Sequence, residues 1–537
     1  MIPDVGAVED MLWSGWGRPE RHEPLSASLR SLLQQSLGIS GRSVPAVGFD
    51  EVQLDPSTLS RRVRGVLAAV VGDAHVLDDR RSRILHCAGK STVDLLRLRR
   101  GDARSAPDGV VLPSSHGEVL AVLRVCAEHA IAVVPFGGGT SVVGGLGSLH
   151  GAHAALVALD LRRMDRVVAV DSISLTATLE PGLRAPRAEQ TLAARGLTLG
   201  HFPQSFEHAS VGGFAATRSS GQASSGYGRF DEMVTRLRVA TPEGELDLGR
   251  APASAAGPDL RQLFLGSEGA LGVITELTVR VRRSSAARRY EGWRMPGFEP
   301  GVAALRRCAQ VGAVPTVVRL SDETETAITA ALARDDGGSA HDRGCLMIAG
   351  FEGESRAVDA SRAAVAEILV AEGGSPLGPG PGEAWLRDRF AGPYMRDALL
   401  DAGVITETLE TATSWSNLAR LHTDLSHALQ QELSGQGTPP LVMSHVSHLY
   451  PTGASLYVTV VAACATDPIS QWRRAKRAAN DAIATAGATI SHHHGVGTEH
   501  RDWMPAEVGD LGVEILRAVK RRVDPRGILN PGKLIPV

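Results

Sequence analysis

The chain has 537 residues, 43% hydrophobic and 21% charged, which suits a globular protein of two or more domains with sizeable cores. A net charge of −3 and an aromatic content of 4% leave neither a basic footprint nor a base-stacking surface, so no nucleic-acid partner is expected. The five cysteines, Cys87, Cys126, Cys308, Cys345 and Cys464, contain no C-x-x-C pair, which fits reduced cytosolic thiols and gives no structural zinc site.

The acidic N-terminus, with Trp13 and Trp16, lacks the basic and apolar regions of a signal peptide. No apolar run approaches the roughly 18 residues that span a bilayer. Leu25 to Leu37 has the spacing of a short amphipathic helix. Asp94 to Arg100 reads as a solvated, basic-edged face. Gly89-Lys90-Ser91 resembles the end of a triphosphate loop, but Ile84 stands where that loop needs glycine, which argues against Mg-ATP.

From Val110 the pattern becomes α+β. Strands are predicted at Val110–Leu112, Ile131–Val134, Ala155–Leu159, Val167–Val170 and Ser174–Leu179, with helices at Gly117–Ala130 and Ala185–Arg195. The strand before Pro135 gives way to Phe136-Gly137-Gly138-Gly139-Thr140-Ser141. Glycines let successive backbone N–H groups point into one concavity, and the two hydroxyls add donors, so the stretch reads as a pyrophosphate cradle or as a plain glycine-rich turn. Val142 stands where the dinucleotide pattern G-x-G-x-x-G requires its last glycine.

Gly200 to Arg229 follows no helical or strand period and is dense in small, hydroxyl and glycine residues, as befits a backbone that approaches a ligand closely. A strand at Leu237–Thr241 leads into a hairpin turn, and Gly266 to Thr275 is a second glycine-rich turn running into a strand at Leu277–Val281. The basic run from Arg282 to Arg289 marks a domain boundary. Beyond it, helices at Gly301–Gln310 and Ala357–Ala371 alternate with strands at Val314–Leu320, Cys345–Phe351 and Leu456–Val461. Asp335–Asp342 and Gly373–Gly382 read as loops, and the turn-rich tail from Arg522 keeps apolar anchors that dock it.

Three adjacent imidazoles in Ser491-His492-His493-His494-Gly495-Val496-Gly497 can transfer protons near neutral pH, bind a metal, or form a satisfied polar loop. Adjacent residues of an extended chain alternate in direction, so only one or two of the three are expected at a reacting face.

Taken together, these separated stretches resemble the vanillyl-alcohol-oxidase/para-cresol-methylhydroxylase type of FAD-linked flavoproteins, and within it the alkyldihydroxyacetonephosphate synthase family. The similarity runs from Trp13 to the C-terminal tail. It implies that the family's first FAD loop falls on Pro135, Phe136, Gly137, Gly138, Gly139, Thr140 and Ser141. The second falls on Gln204, Ser205, Phe206, Glu207, His208, Ala209 and Ser210, and the third on Thr217, Arg218, Ser219 and Ser220. The fourth falls on Glu268, Gly269, Ala270, Leu271, Gly272, Val273 and Ile274. Gln204 departs from the family's usual Asp, and His208 stands where an aromatic is expected.

The resemblance further implies an N-terminal segment at 1–100, an FAD-binding domain of two subdomains at 101–285, a cap domain at 286–500, and a 501–537 segment that returns to the FAD domain. It assigns proton transfer to Tyr457 and the triple histidine, and substrate binding to Arg396 and Arg319. Read without it, Tyr457 fits a packed strand residue, and Arg319, a charge between apolar neighbours, needs a partner. The implied reaction exchanges the acyl chain of acyl-dihydroxyacetone phosphate for a fatty alcohol through a flavin N5 adduct without net redox, with no metal.

The alternatives are an FAD-linked 2-hydroxy-acid dehydrogenase and a non-catalytic FAD-binding protein. The dehydrogenases commonly carry H-x-G-D-G-N-x-H for a metal, whereas His448 to Tyr457 has no such pattern. A homodimer, a cytoplasmic location and peripheral membrane contact are expected; Leu534-Ile535-Pro536-Val537 is not a Ser-Lys-Leu-type peroxisomal signal.

Overall fold

The computed structural model describes residues 10–39, 43–332 and 344–536; the loop predicted at Asp335–Asp342 lies outside them. The chain is α+β and builds three main sheets. The first has four strands in the order Val76–Leu77, Gly109–Val111, Ala155–Asp160, Ile131–Phe136, the last three mutually parallel. Ala155–Asp160 is buried throughout, the mark of a parallel strand covered on both faces. Pro135 does not end its strand, which runs on to Phe136, because proline is tolerated at a sheet edge. The C-terminal tail covers that edge: Val133 donates to the Ile528 carbonyl and accepts from the Asn530 N–H, both at 2.8 Å.

The second sheet is antiparallel, in the order Val167–Asp171, Thr176–Leu179, Val273–Arg280, Val234–Thr241, Gly244–Leu248. Its core includes Phe206, Phe214, Phe230 and Leu277. The third is a seven-stranded antiparallel sheet in the order Ser375–Gly378, Ala287–Met295, Cys345–Gly353, Val317–Ser321, Leu441–Tyr450, Gly453–Ala463, Val404–Ser414. Helix Leu418–Gly435 contributes Leu418, Leu421, Leu425, Leu429 and Leu433 to its core, a three-and-four spacing that puts one stripe of leucines inward.

Three expectations are corrected. Asp94 to Arg100 is not a solvated face: helix Thr92–Arg99 buries Asp94, Leu95 and Leu98 and joins the core that holds Ala475 and Ala479. Its arginines turn to internal partners instead of water, Arg97 to Ser105 and Arg99 to the Ser14 carbonyl. Gly373–Gly382 contains an edge strand, Ser375–Gly378, paired with Ala287–Met295, and the start of helix Gly380–Asp388, where proline fits the first turn. The aperiodic 200–229 stretch holds helix Val211–Thr217, capped by Ser210, whose side chain accepts from Gly213 N–H. Gly212 hides the apolar period, and a Cβ there would lie 2.5 Å from Pro181 Cβ.

All five cysteines are free. Among the described residues no helix is long and apolar enough to cross a membrane.

Candidate active site

A cavity of about 510 Å³ opens where the two smaller sheets meet the large one. Of the residues singled out from sequence, it is lined by Pro135 to Ser141, Gln204, Ser205, Ala209, Ser210, Thr217, Ser219, Ser220, Glu268, Gly269, Gly272, Val273 and Ile274. Arg319, Arg396, Tyr457, His493 and His494 line it from the other side. Segments more than 300 residues apart in the chain thus share one hollow.

The glycine loop is shaped first by its neighbours. A Cβ on Gly137 would lie 2.4 Å from Ser210 Oγ, and one on Gly138 would lie 2.4 Å from the His208 carbonyl oxygen. The first and second loops therefore touch backbone to backbone, and only glycine permits it. Gly139 adds a left-handed φ of +72°. Ser220 Oγ, buried on the cavity wall, has no hydrogen-bond partner in the protein. A tight backbone cradle with convergent hydroxyls and an unsatisfied donor fits an extended dinucleotide diphosphate.

The opposite wall is a row across the large sheet. Tyr457 is in register with Glu410 on one neighbouring strand and His445 on the other. Its ring stacks on His445 at 4.8 Å and faces His493 at 6.1 Å, with His494 edge-on at 5.8 Å. Burial pushes the Tyr457 phenol up to about 12 and His493 down to about 3. At neutral pH the phenol is protonated and the imidazole is a free base.

Arg319 is tied into a structural triad. It donates to His445 Nε2 at 3.1 Å and to Glu325 Oε1 at 2.7 Å, and His445 Nδ1 lies 3.3 Å from the same carboxylate oxygen. Arg319 thus both finds the buried partner its setting demanded and touches the cavity.

Arg396 is different. Its Nη1 donates to the Lys90 carbonyl at 2.6 Å, while Nε and Nη2 are buried without hydrogen-bond partners. Nε lies 3.8 Å from the buried Asp397 Oδ1, an ion pair that offsets part of the charge, and the guanidinium of this cavity-lining residue keeps N–H capacity with which to bind an anion. The Lys90 N–H donates in turn to the Ser141 carbonyl at 2.6 Å, so one residue joins the arginine to the glycine loop.

Seven of the sequence candidates stand behind the wall. Phe206 stacks on Phe390 in the core, and Glu207 pairs with Arg21 and lies 3.3 Å from the Tyr394 hydroxyl. His208 packs edge-on against Trp16, with burial lowering its pKa to about 4. Arg218 turns away to the Leu265 and Gln262 carbonyls. The Ala270 carbonyl accepts from Lys520, and Leu271 is core. His492 is buried beside the cavity wall, its Nε2 2.6 Å from the Tyr450 hydroxyl. The split follows the local course of each loop, in which runs of neighbours such as Ser219 and Ser220 or His493 and His494 line the cavity together.

His445, His448, Glu407 and an apolar branch of Val318, Leu399, Met443 and Val461 line the cavity without having been singled out. Leu399 lies on helix Gly392–Asp401 and the others on strands of the large sheet, and no local signal marks them.

Residues 107–248 match the FAD binding domain and residues 284–534 match the FAD linked oxidases, C-terminal domain. The fold is shared with a solved structure of p-cresol methylhydroxylase, at a TM-score of 0.67 and 17% identity over 90% of this chain and 99% of that one. Fold and cavity define an FAD-containing enzyme of the FAD-linked oxidase class. The similarity is greater to an alkyldihydroxyacetonephosphate synthase of Dictyostelium discoideum, 33% identical over 99% of this chain and 94% of that protein. A solved alkyldihydroxyacetonephosphate synthase superposes at a TM-score of 0.84, 31% identical over 98% of this chain and 99% of the other. The chain belongs to the alkyldihydroxyacetonephosphate synthase family.

Proposed function

We propose that this chain replaces the acyl chain of acyl-dihydroxyacetone phosphate with a long-chain alcohol. The observation that carries the reading is the buried guanidinium of Arg396, whose Nε and Nη2 make no hydrogen bond in the protein, set among the residues that line one cavity with the glycine cradle, Tyr457 and two histidines. Gly137 to Ser141 and the neighbouring loops would hold FAD, which would supply an electrophilic centre beside Tyr457 and the histidines.

The protein's part is binding and proton movement. Arg396 holds the phosphate of the substrate, and the apolar branch from Val318 to Val461 accommodates the alkyl chains. His493 or His494, neutral at physiological pH, accepts the carbon-bound proton. The Tyr457 phenol, protonated until about pH 12, passes a proton between substrate oxygen and imidazole as the carboxylic acid leaves and the alcohol adds. The lipid substrates are met by peripheral contact with a membrane, a role supported by Leu511 and Ile515, one helical turn apart and 75% and 54% exposed. A cytoplasmic homodimer completes the proposal.

The test is an exchange assay. Purified protein, acyl-dihydroxyacetone phosphate and labelled fatty alcohol should give labelled ether product without an electron acceptor. Oxidation of a 2-hydroxy acid that depends on an acceptor, with no alcohol incorporation, would replace this reading by the dehydrogenase one.

A further inference from the structure

The triple-histidine segment is not part of a helix or strand, so something other than regular backbone pairing must hold it beside Tyr457. Its own side chains do little of this. His492 contacts Tyr450, and His492 Nδ1 and His493 Nδ1 lie 3.0 Å apart, a bond within the segment itself. The backbone is another matter. Glu410 Oε2 accepts from the N–H groups of His492 and His493 at 2.5 and 3.0 Å. Glu410 Oε1 accepts from the His494 N–H at 2.7 Å and from Ser491 Oγ at 2.8 Å. Three consecutive amides and a hydroxyl converge on one carboxylate that is 3% exposed.

We propose that Glu410 is the positioning residue of the proton-transfer site, its carboxylate fixing the histidine segment against Tyr457. Glu410 and Tyr457 are register partners on adjacent strands, so the residue that anchors the segment is built into the same row as the phenol. Any shift of the Glu410 strand moves anchor and phenol together, which keeps the distance from imidazole to phenol constant. Burial by itself disfavours the charge, yet the surrounding histidines and the amides hold this carboxyl well below the usual range.

Glu410, His492 and His493 also lie close enough together to suggest metal ligands. A carboxylate offers about four lone-pair sites, and here four donors fill them, so the group serves the segment.

This inference rests on the exchange reading for its kinetic arm only. Glu410→Gln keeps the shape but turns an NH2 group toward amide donors. Its kcat for alcohol exchange should fall about 100-fold, with KM for the acyl substrate and FAD per chain near wild type. Independently of activity, diethylpyrocarbonate should modify His493 and His494 faster, read by peptide mass spectrometry. Glu410→Asp, which keeps the charge, should recover part of both. Should Glu410→Gln fail to fold, Ser491→Ala, which removes one donor, should show the same changes to a smaller degree. Wild-type kcat and unchanged histidine reactivity in the folded variants would overturn the inference. A wild-type protein without exchange activity would sink the functional reading and leave the reactivity arm standing.

Discussion

Glu268 accepts a hydrogen bond from the backbone N–H of Gly497 at 2.8 Å, so the last of the cofactor loops grips the stretch that follows the histidines. The Val496 N–H joins it at 2.9 Å. Burial raises the Glu268 carboxyl to about 7, against the opposing pull of these two amides and of Lys533. A folded-state value above the unfolded one means stability that is complete below about pH 4.5 and is lost as pH rises through 7. Glu499, raised to about 7 by burial, acts in the same direction. Urea unfolding should show lower stability at pH 7.5 than at pH 5. Glu268→Gln, a mimic of the protonated form, should remove about 2 kcal/mol of that difference. An unaltered pH dependence in the variant would show that the carboxyl titrates normally.

The contact between the first two cofactor loops makes Gly138 sensitive. A Cβ there would lie 2.8 Å from Ala209 Cα as well as 2.4 Å from the His208 carbonyl oxygen, both backbone atoms that cannot swing aside. Gly138→Ala should therefore open the cradle and lower the fraction of protein that retains flavin, with at least a tenfold weaker Kd (about 1.4 kcal/mol) on titration of FAD into apoprotein. Wild-type FAD affinity would mean that the loops separate without cost.

Tyr457→Phe removes one hydroxyl from a ring held between His445 and His493. Packing is preserved, so FAD content and Tm should match wild type while kcat for alcohol exchange falls about 100-fold or more. Activity that survives the change would reduce Tyr457 to a packed strand residue.

Arg396→Lys keeps the charge and loses the fork. One ammonium cannot both hold the Lys90 carbonyl and offer two directed N–H groups to a phosphate. KM for the acyl substrate should rise about 10- to 100-fold, equivalent to the loss of 1.4 to 2.7 kcal/mol, with KM for the alcohol unchanged. Equal changes in both constants would place the anion elsewhere.

The strands and long helices were legible because their apolar periods are local. The Ile131 strand and the leucine stripe of Leu418–Gly435 can be read one window at a time. The glycine loop and the histidine run stood out by composition. What stayed hidden depends on contacts between distant segments. Helix Val211–Thr217 is masked by its glycines, of which Gly212 lets Pro181 approach. Helix Thr92–Arg99 looked like a solvated face because its charges find partners on other elements. Glu410 is one carboxylate in an ordinary strand, and its meaning lies 82 residues away. Likewise the split between lining and buried members of each loop follows from side-chain direction, which a motif does not encode.

Lys90, through its backbone, stands between the glycine loop and Arg396. Because its N–H is taken by Ser141 and its carbonyl by Arg396, ordering either neighbour orders the other. On the role proposed for Arg396, any effect of dinucleotide occupancy on affinity for the phosphate-bearing substrate would be reciprocal and of equal factor. Under that same role, disturbing the glycine loop would then be felt at the phosphate site without any direct contact between the two.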